Sequence, residues 1–265
     1  MPDPRKPLVD YRAEGAVAVL TLDAPPANTY SHEMMLDLDA AILRARFDPA
    51  VQVLVVTGSG DRFFCAGADI GMLQRADPTY KYYFCLHANE TISRLEQTPK
   101  LVIAALNGHT VGGGLEVALA ADLRIARHGC GKVGLPEVAL GVLPGTGGTQ
   151  RLARLVGKSK AIELMVSGRT FDTAEALALG LVNRVVEGGD FMAQVLDYAR
   201  SFTTPGRAAM AVGHIKRAVQ TGAELPLDAG LALERELQAK LFASADAAEG
   251  IRAYNEKRTA AFEGR

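Results

Sequence analysis

Three times in the first half of this chain, an apolar run of strand length is followed by a small-residue loop and then by a stretch with helical spacing. "AVAVLTLD" stops at the breaker "APPAN", after which Ser31 is placed to cap the amphipathic "HEMMLDLDAAILRARF". "VQVLVVTG" passes through "SGDRFFCAGAD" into a helix around "YYFCLHANETISRLEQ", and "LVIAAL" passes through "NGHTVGG" into "GLEVALAA". A fourth round begins at "DLRIA". The pattern recurs while the residues do not, so the expected fold class is α/β, a superhelix whose turns each add strand and helix to one core. After about residue 190 the strand signals stop. Helical patterns run to the end through "FMAQVLDYARSF", "AAMAVGHIKRAV", "LDAGLALERELQAKLF" and "AAEGIRAYNEKRTAAF". The chain is thus read as a core over residues 1–195 and a helical appendage over 196–265. The last helix is expected to carry Ile251, Tyr254 and Phe262 on one apolar face, free to pack on its own chain or on a partner subunit.

Bulk properties remove several function classes. With 29 Lys and Arg against 30 Asp and Glu, the net charge is −1, and no segment holds a basic block suited to a phosphate backbone or an anionic bilayer. No nucleic-acid partner and no membrane partner is expected. The longest apolar runs fall far short of the roughly 18 residues of a membrane span, and "MPDPRKPLVDY" lacks the apolar core of a signal peptide, so a cytoplasmic location is expected. Cys65, Cys85 and Cys130 are odd in number and have no C-x-x-C spacing, which fits reduced thiols rather than a disulfide framework or a zinc site.

Some formal motif matches fail on context. "GCGKVG" satisfies G-x-G-x-x-G at Gly129, Gly131 and Gly134, but Pro136 follows where a dinucleotide fold would start a helix, so a turn is expected. "GKS" at residues 157–159 lacks the first glycine of a phosphate loop, because position 152 is Leu. The five histidines include no pair at metal-ligand spacing, no G-x-S-x-G elbow exists, and His109 is expected to pack or cap.

One constellation remains. Gly112, Gly113 and Gly114 open an apolar, Ala-rich helix in "NGHTVGGGLEVALAAD". Glycine lets the backbone turn sharply and lets a ligand come close, and the first N–H groups of a helix lack partners within it. Such groups can stabilise a carbonyl oxygen that becomes enolate-like. A second small-residue turn, "FFCAGADI", offers another N–H at Ala68. Either loop alone reads more readily as tight packing. Two glutamates tip the balance: Glu116 follows the glycines, and Glu137 sits in "GLPEVALGVLPGTGGTQRL". Apolar surroundings would raise both carboxyl pKa values toward neutrality and fit them to pass protons.

Taken together these residues resemble the crotonase, or enoyl-CoA hydratase/isomerase, superfamily. The resemblance runs from "PPAN" through "FCAGADI", "NGHTVGGGLEVALAADLRIA" and "GLPEVALGVLPGTGGTQRL" to "EGIRAYNEKR", nearly the whole chain. It implies a crotonase-like α/β spiral of β-β-α turns with a C-terminal helical trimerisation module, self-associating as a homotrimer or as a hexamer built from two trimers. Position by position it implies that the Ala68 and Gly113 N–H groups form an oxyanion hole for an acyl-CoA thioester. Glu116 would then activate and hold the water that attacks C3, Glu137 would exchange the proton at C2, and the Gly145 N–H would orient the water. Ala66, Ala68, Asp69, Ile70 and Lys257 are implied to contact the CoA moiety. That moiety belongs to the substrate, and the resemblance implies neither a separate cofactor nor a metal.

Possession of both glutamates favours the hydratase branch, which adds water reversibly and on one face across the double bond of a 2-trans-enoyl-CoA. Isomerases of the family often keep only the carboxylate matching Glu137, so enoyl-CoA isomerase is the alternative, together with a non-catalytic CoA- or RNA-binding relative. Relatives often place a basic residue before the Asn of "PPAN" and some place Lys where this chain has Gly71. Lys257 matches a lysine that in relatives reaches the CoA of a neighbouring subunit, which implies a compensating contact, while an exposed helix lysine is the commoner reading of that residue type. Tyr30 stands where relatives tend to have an apolar or small residue, and no role follows from the sequence. "YKYYFCL", residues 80–86, falls where the family builds the wall of its acyl pocket. Its aromatic density suits a compact, branched or aromatic acyl group, and core packing would explain the same residues equally well.

Overall fold

The computed structural model describes residues 5–265. In chain order its strands are β1 (Val9–Glu14), β2 (Val17–Leu22), β3 (Val53–Gly58), β4 (Phe63–Cys65), β5 (Leu101–Leu106), β6 (His109–Val111), β7 (Leu123–Arg127), β8 (Val133–Gly134), β9 (Thr170–Phe171) and β10 (Arg184–Val186). Its helices are α1 (His32–Phe47), α2 (Ile70–Arg75), α3 (Pro78–Glu96), α4 (Gly113–Leu119), α5 (Gly148–Val156), α6 (Lys158–Ser167), α7 (Thr173–Ala178), α8 (Phe191–Arg200), α9 (Ala209–Gly222), α10 (Leu227–Phe242) and α11 (Ala245–Glu256). A 3-10 turn occupies Glu137–Leu140.

Strands are ordered β1-β2-β3-β5-β7-β10 in a six-stranded sheet, antiparallel at β1–β2 and parallel beyond. Both faces of this sheet are covered. That explains why β3 opens with the continuous apolar run Val53–Val56 and has all six of its residues buried. On one face Leu20, Leu54, Val56 and Ala104 meet Met34, Leu38 and Ile42 of α1 and Ile92 and Leu95 of α3. On the other face Val19, Val55 and Ile103 meet Phe191, Val195 and Leu196 of α8, a helix that runs across position 195. A second sheet, ordered β4-β6-β8-β9, is built from strands of two or three residues. It matters for the site because β4 pairs in parallel with β6, Phe63 opposite His109, which sets the loop after β4 beside the loop after β6.

The mixed α/β architecture and the C-terminal run of helices agree with the reading of the sequence. Ser31 caps α1 by accepting from the Met34 N–H at 3.3 Å, and "GCGKVG" forms a turn, with Gly129 at φ 63° and Gly131 at φ 138°, before β8. His109 Nδ1 accepts from the Lys132 N–H at 3.1 Å while its ring packs on Phe63. The three cysteines are free thiols. One expectation is corrected: Phe262 does not share a helix with Ile251 and Tyr254. Lys257 adopts the left-handed conformation at φ 53° and ends α11, so the tail turns and the Phe262 ring packs over Gly250. The buried Lys216 of α9 latches the C-terminal helices to the core, reaching the partly buried Asp122 carboxylate at 2.9 Å and the Lys100 carbonyl at 3.0 Å. Among the described residues no helix is long and apolar enough to cross a membrane.

Candidate active site

Two loops that lie 46 residues apart in sequence, ending at Gly67 and Gly113, are pressed together by the β4–β6 pairing. A Cβ on Gly67 would stand 2.9 Å from the Gly113 nitrogen, and Gly67 itself has φ 93°, so this contact requires glycine twice over. At Gly114 an added Cβ would lie 1.9 Å from the Cys65 carbonyl oxygen, so the start of α4 can rest on β4 only without a side chain there. Ala68 is held on either side: Tyr30 N–H donates to the Gly67 carbonyl at 2.9 Å, and Asp69 N–H donates to the Tyr30 carbonyl at 3.0 Å. Neither the Ala68 N–H nor the Gly113 N–H, the first of α4, donates to an acceptor among the described residues. Two unspent donors therefore sit on adjoining loops.

Glu116 lies one turn into α4 and is 2% exposed. Its Oε1 accepts from the backbone N–H groups of Thr146 and Gly148, each at 2.7 Å, so the glycine-rich turn after Glu137 closes over α4 and fixes this carboxylate. Burial raises the Glu116 pKa, and the Gly148 and Thr146 N–H groups, the Thr146 hydroxyl and the charge of Lys81 oppose the rise. Glu137 opens the 3-10 turn and is half-buried, its Oε1 3.1 Å from where a Gly112 Cβ would stand. Its Oε2 is buried and finds no hydrogen-bond partner among the described residues. Burial, opposed by its own backbone N–H and reinforced by the charge of Glu116, pushes the Glu137 pKa up to about 7. One carboxylate is thus locked by backbone donors while the other is free to carry a proton at neutral pH.

The remaining residues singled out from sequence fall into separate groups. Ala66, Ala68, Asp69 and Ile70 form one continuous lip leading into α2, whose N terminus the Asp69 carboxylate caps by accepting from the Met72 N–H at 2.5 Å. Gly145 lies on the turn that holds Glu116, accepts from Asn89 Nδ2 at 3.2 Å, and donates its N–H to no acceptor among the described residues. Lys257 sits at the far end of α11, and no hydrogen bond or ion pair among the described residues joins it to the lip. Residues 80–86 divide. Phe84 is core, Tyr82 and Tyr83 point outward, and Cys85 Sγ comes within 3.3 Å of where a Gly145 Cβ would stand. Thr146 and Gly148, which hold Glu116, carry no individual signal in the sequence beyond the glycine-rich "PGTGGT". Among the described residues no group of three or more His, Cys, Asp or Glu side chains is placed to hold a metal ion.

The chain as a whole is similar to known proteins. The profile of the family described as enoyl-CoA hydratase/isomerase matches residues 12–265. A crotonyl-CoA hydratase of Syntrophomonas wolfei is 37% identical over 250 residues, covering 94% of this chain and 95% of its own. A short-chain-enoyl-CoA hydratase of Clostridium acetobutylicum is 37% identical over 246 residues, covering 92% and 93%. Among solved structures, an enoyl-CoA hydratase of Geobacillus kaustophilus superimposes with a TM-score of 0.95 at 45% identity, covering 99% of this chain and 98% of that one.

Proposed function

The chain belongs to the enoyl-CoA hydratase/isomerase family, and from that premise we propose that it is an enoyl-CoA hydratase, adding water reversibly across the C2=C3 bond of a 2-trans-enoyl-CoA to give a 3-hydroxyacyl-CoA. The observation that carries the reading is the pair of unlike glutamates beside two unspent backbone donors.

The thioester oxygen is received by the Ala68 and Gly113 N–H groups, whose value rises as negative charge moves onto that oxygen. Glu116 takes a proton from water as the water oxygen bonds to C3. The C=C π electrons shift toward C2 and the thioester, and protonated Glu137 supplies the proton that completes the C2–H bond. Exchange with solvent then resets the two carboxyls. Glu137 with a pKa near 7 is protonated often enough to donate and basic enough to take the proton back in the reverse direction. The Gly145 N–H orients the water from the turn that holds Glu116. The lip of Ala66, Ala68, Asp69 and Ile70 carries the CoA moiety, which travels with the substrate, and the chemistry calls for no further cofactor.

The C-terminal helices, residues 196–265 of this reading, expose Leu227, Phe242, Ile251 and Tyr254. Exposed apolar side chains such as these suit self-association, and in a trimer or a pair of trimers Lys257 would reach the CoA of a neighbouring subunit.

Purified protein is expected to remove the enone thioester absorbance of crotonyl-CoA or of a longer or branched 2-enoyl-CoA and to yield the 3-hydroxy product. Faster conversion of a 3-enoyl-CoA to its 2-enoyl isomer than hydration of the latter would identify an isomerase instead. Binding of CoA with no turnover of any of them would overturn the enzymatic reading.

A further inference from the structure

We infer that Tyr30 is a positioning residue that holds the oxyanion-hole loops and Glu116 in one register, an inference resting on the hydratase reading. Tyr30 lies between β2 and α1, is 2% exposed, and touches the site through three of its parts. Its backbone brackets Ala68, donating to Gly67 at 2.9 Å and accepting from Asp69 at 3.0 Å, which leaves the Ala68 N–H out of the pairing. Its ring fills the space beside Gly113, where an added Cβ would lie 2.1 Å from the hydroxyl oxygen and 2.6 Å from Cε1. Its hydroxyl pairs with Thr146 Oγ1 at 2.9 Å, and the Thr146 N–H is one of the two donors that hold Glu116 Oε1.

The three contacts converge on parts of the site that come from different stretches of chain: the Ala68 loop, the start of α4, and the turn over Glu116. Their relative placement decides whether the thioester oxygen and the attacked carbon can be addressed at once, and slack of about 1 Å in such a placement costs on the order of a hundredfold in rate. Phe84 backs the Tyr30 ring at 5.9 Å between centroids, so the ring is wedged rather than free to swing. Phenylalanine would fill the same volume with less to desolvate, since a buried hydroxyl is unfavourable unless paired. What the hydroxyl adds is the link to Thr146, whose own hydroxyl and N–H both act on Glu116.

The test is a double-mutant cycle on the hydration rate, with Tyr30→Phe and Thr146→Val made singly and together, and Glu116→Gln run alongside. Tyr30→Phe is expected to lower kcat about tenfold with KM within twofold of wild type, because the ring stays and only the link is lost. Thr146→Val is expected to lose a similar factor, and the double variant no more than the larger single loss, because both changes cut one chain of contacts. Melting temperatures read in parallel separate loss of folded enzyme from loss of rate, and should Tyr30→Phe fail to fold, Thr146→Val reads the same link. A Tyr30→Phe enzyme with wild-type kcat, or losses that multiply independently in the double variant, would overturn the inference while leaving the hydratase reading intact, provided Glu116→Gln is impaired. A wild type that hydrates no enoyl-CoA overturns both.

Discussion

Glu137 makes the folded protein less stable as pH rises, and removing its charge should show this directly. Its pKa stands at about 7 in the folded chain against an ordinary 4.5. Between those values the unfolded chain has already released the proton that the folded chain still holds, so folding stability falls as pH climbs through the interval and levels off above about 7. At about 1.4 kcal/mol per pKa unit, the difference amounts to about 3.5 kcal/mol at its upper bound. Because the side chain is only half-buried, solvent screening brings this to about half. Glu137→Gln keeps the shape and carries no charge at any pH. It is expected to match wild type in stability near pH 4.5 and to exceed it by about 1–2 kcal/mol at pH 8.5. Urea unfolding of both proteins at several pH values and one fixed protein concentration measures the gap. A gap independent of pH, or wild type the more stable at pH 8.5, would refute the assignment of an elevated pKa to Glu137.

The same group is expected to set the pH profile of turnover. In the hydration direction kcat/KM is expected to fall above pH 7 as Glu137 loses its proton, and Glu137→Gln should leave a low, flat profile over that range. Gly148→Ala would put a Cβ 2.9 Å from Glu116 Oε1 and 2.8 Å from the Pro144 Cβ. Loss or lengthening of one charge-assisted hydrogen bond to that carboxylate is worth about 1.5–3 kcal/mol, a drop of about 10- to 100-fold in kcat/KM, and steady-state kinetics on a folded variant checks it. Lys216→Met leaves the partly buried Asp122 carboxylate with the Val102 N–H and Gln220 Nε2 but without its paired ammonium, Arg124 acting only through its charge, and is expected to destabilise the chain by about 3 kcal/mol. A urea midpoint near wild type would show that the latch does not bear on stability.

Much of this site is legible in the sequence because its chemistry rests on residues that are out of place. Three glycines opening an Ala-rich helix and two glutamates among Val, Ala and Leu need no fold to be noticed. The successive strand-loop-helix rounds likewise follow from periodicity. What periodicity does not carry is the meeting of the loops. That meeting depends on β4 and β6, strands of three residues each, too short to show alternation, whose pairing sets Gly67 against Gly113. Thr146 and Gly148 act on Glu116 through backbone N–H groups, which residue identity does not reveal. Tyr30 stands among the polar Asn28, Thr29, Ser31 and His32 and signals no role in the sequence, and its hydroxyl gains a partner only when residue 146 is folded against it. The spacing of Phe262 suits a helix, whereas Lys257 ends that helix in a left-handed conformation that non-glycine residues seldom take.

In the proposed mechanism Glu116 and Glu137 both move protons while the Ala68 and Gly113 N–H groups hold the thioester. The most direct test is the rate of crotonyl-CoA hydration by wild type, Glu116→Gln and Glu137→Gln, with ligand binding measured on the same preparations. Each variant is predicted to bind the thioester as wild type does and to lose on the order of 10²- to 10⁴-fold in kcat. Hydration by Glu116→Gln at the wild-type rate would contradict the account and leave Glu116 as a structural carboxylate tying α4 to the turn above it.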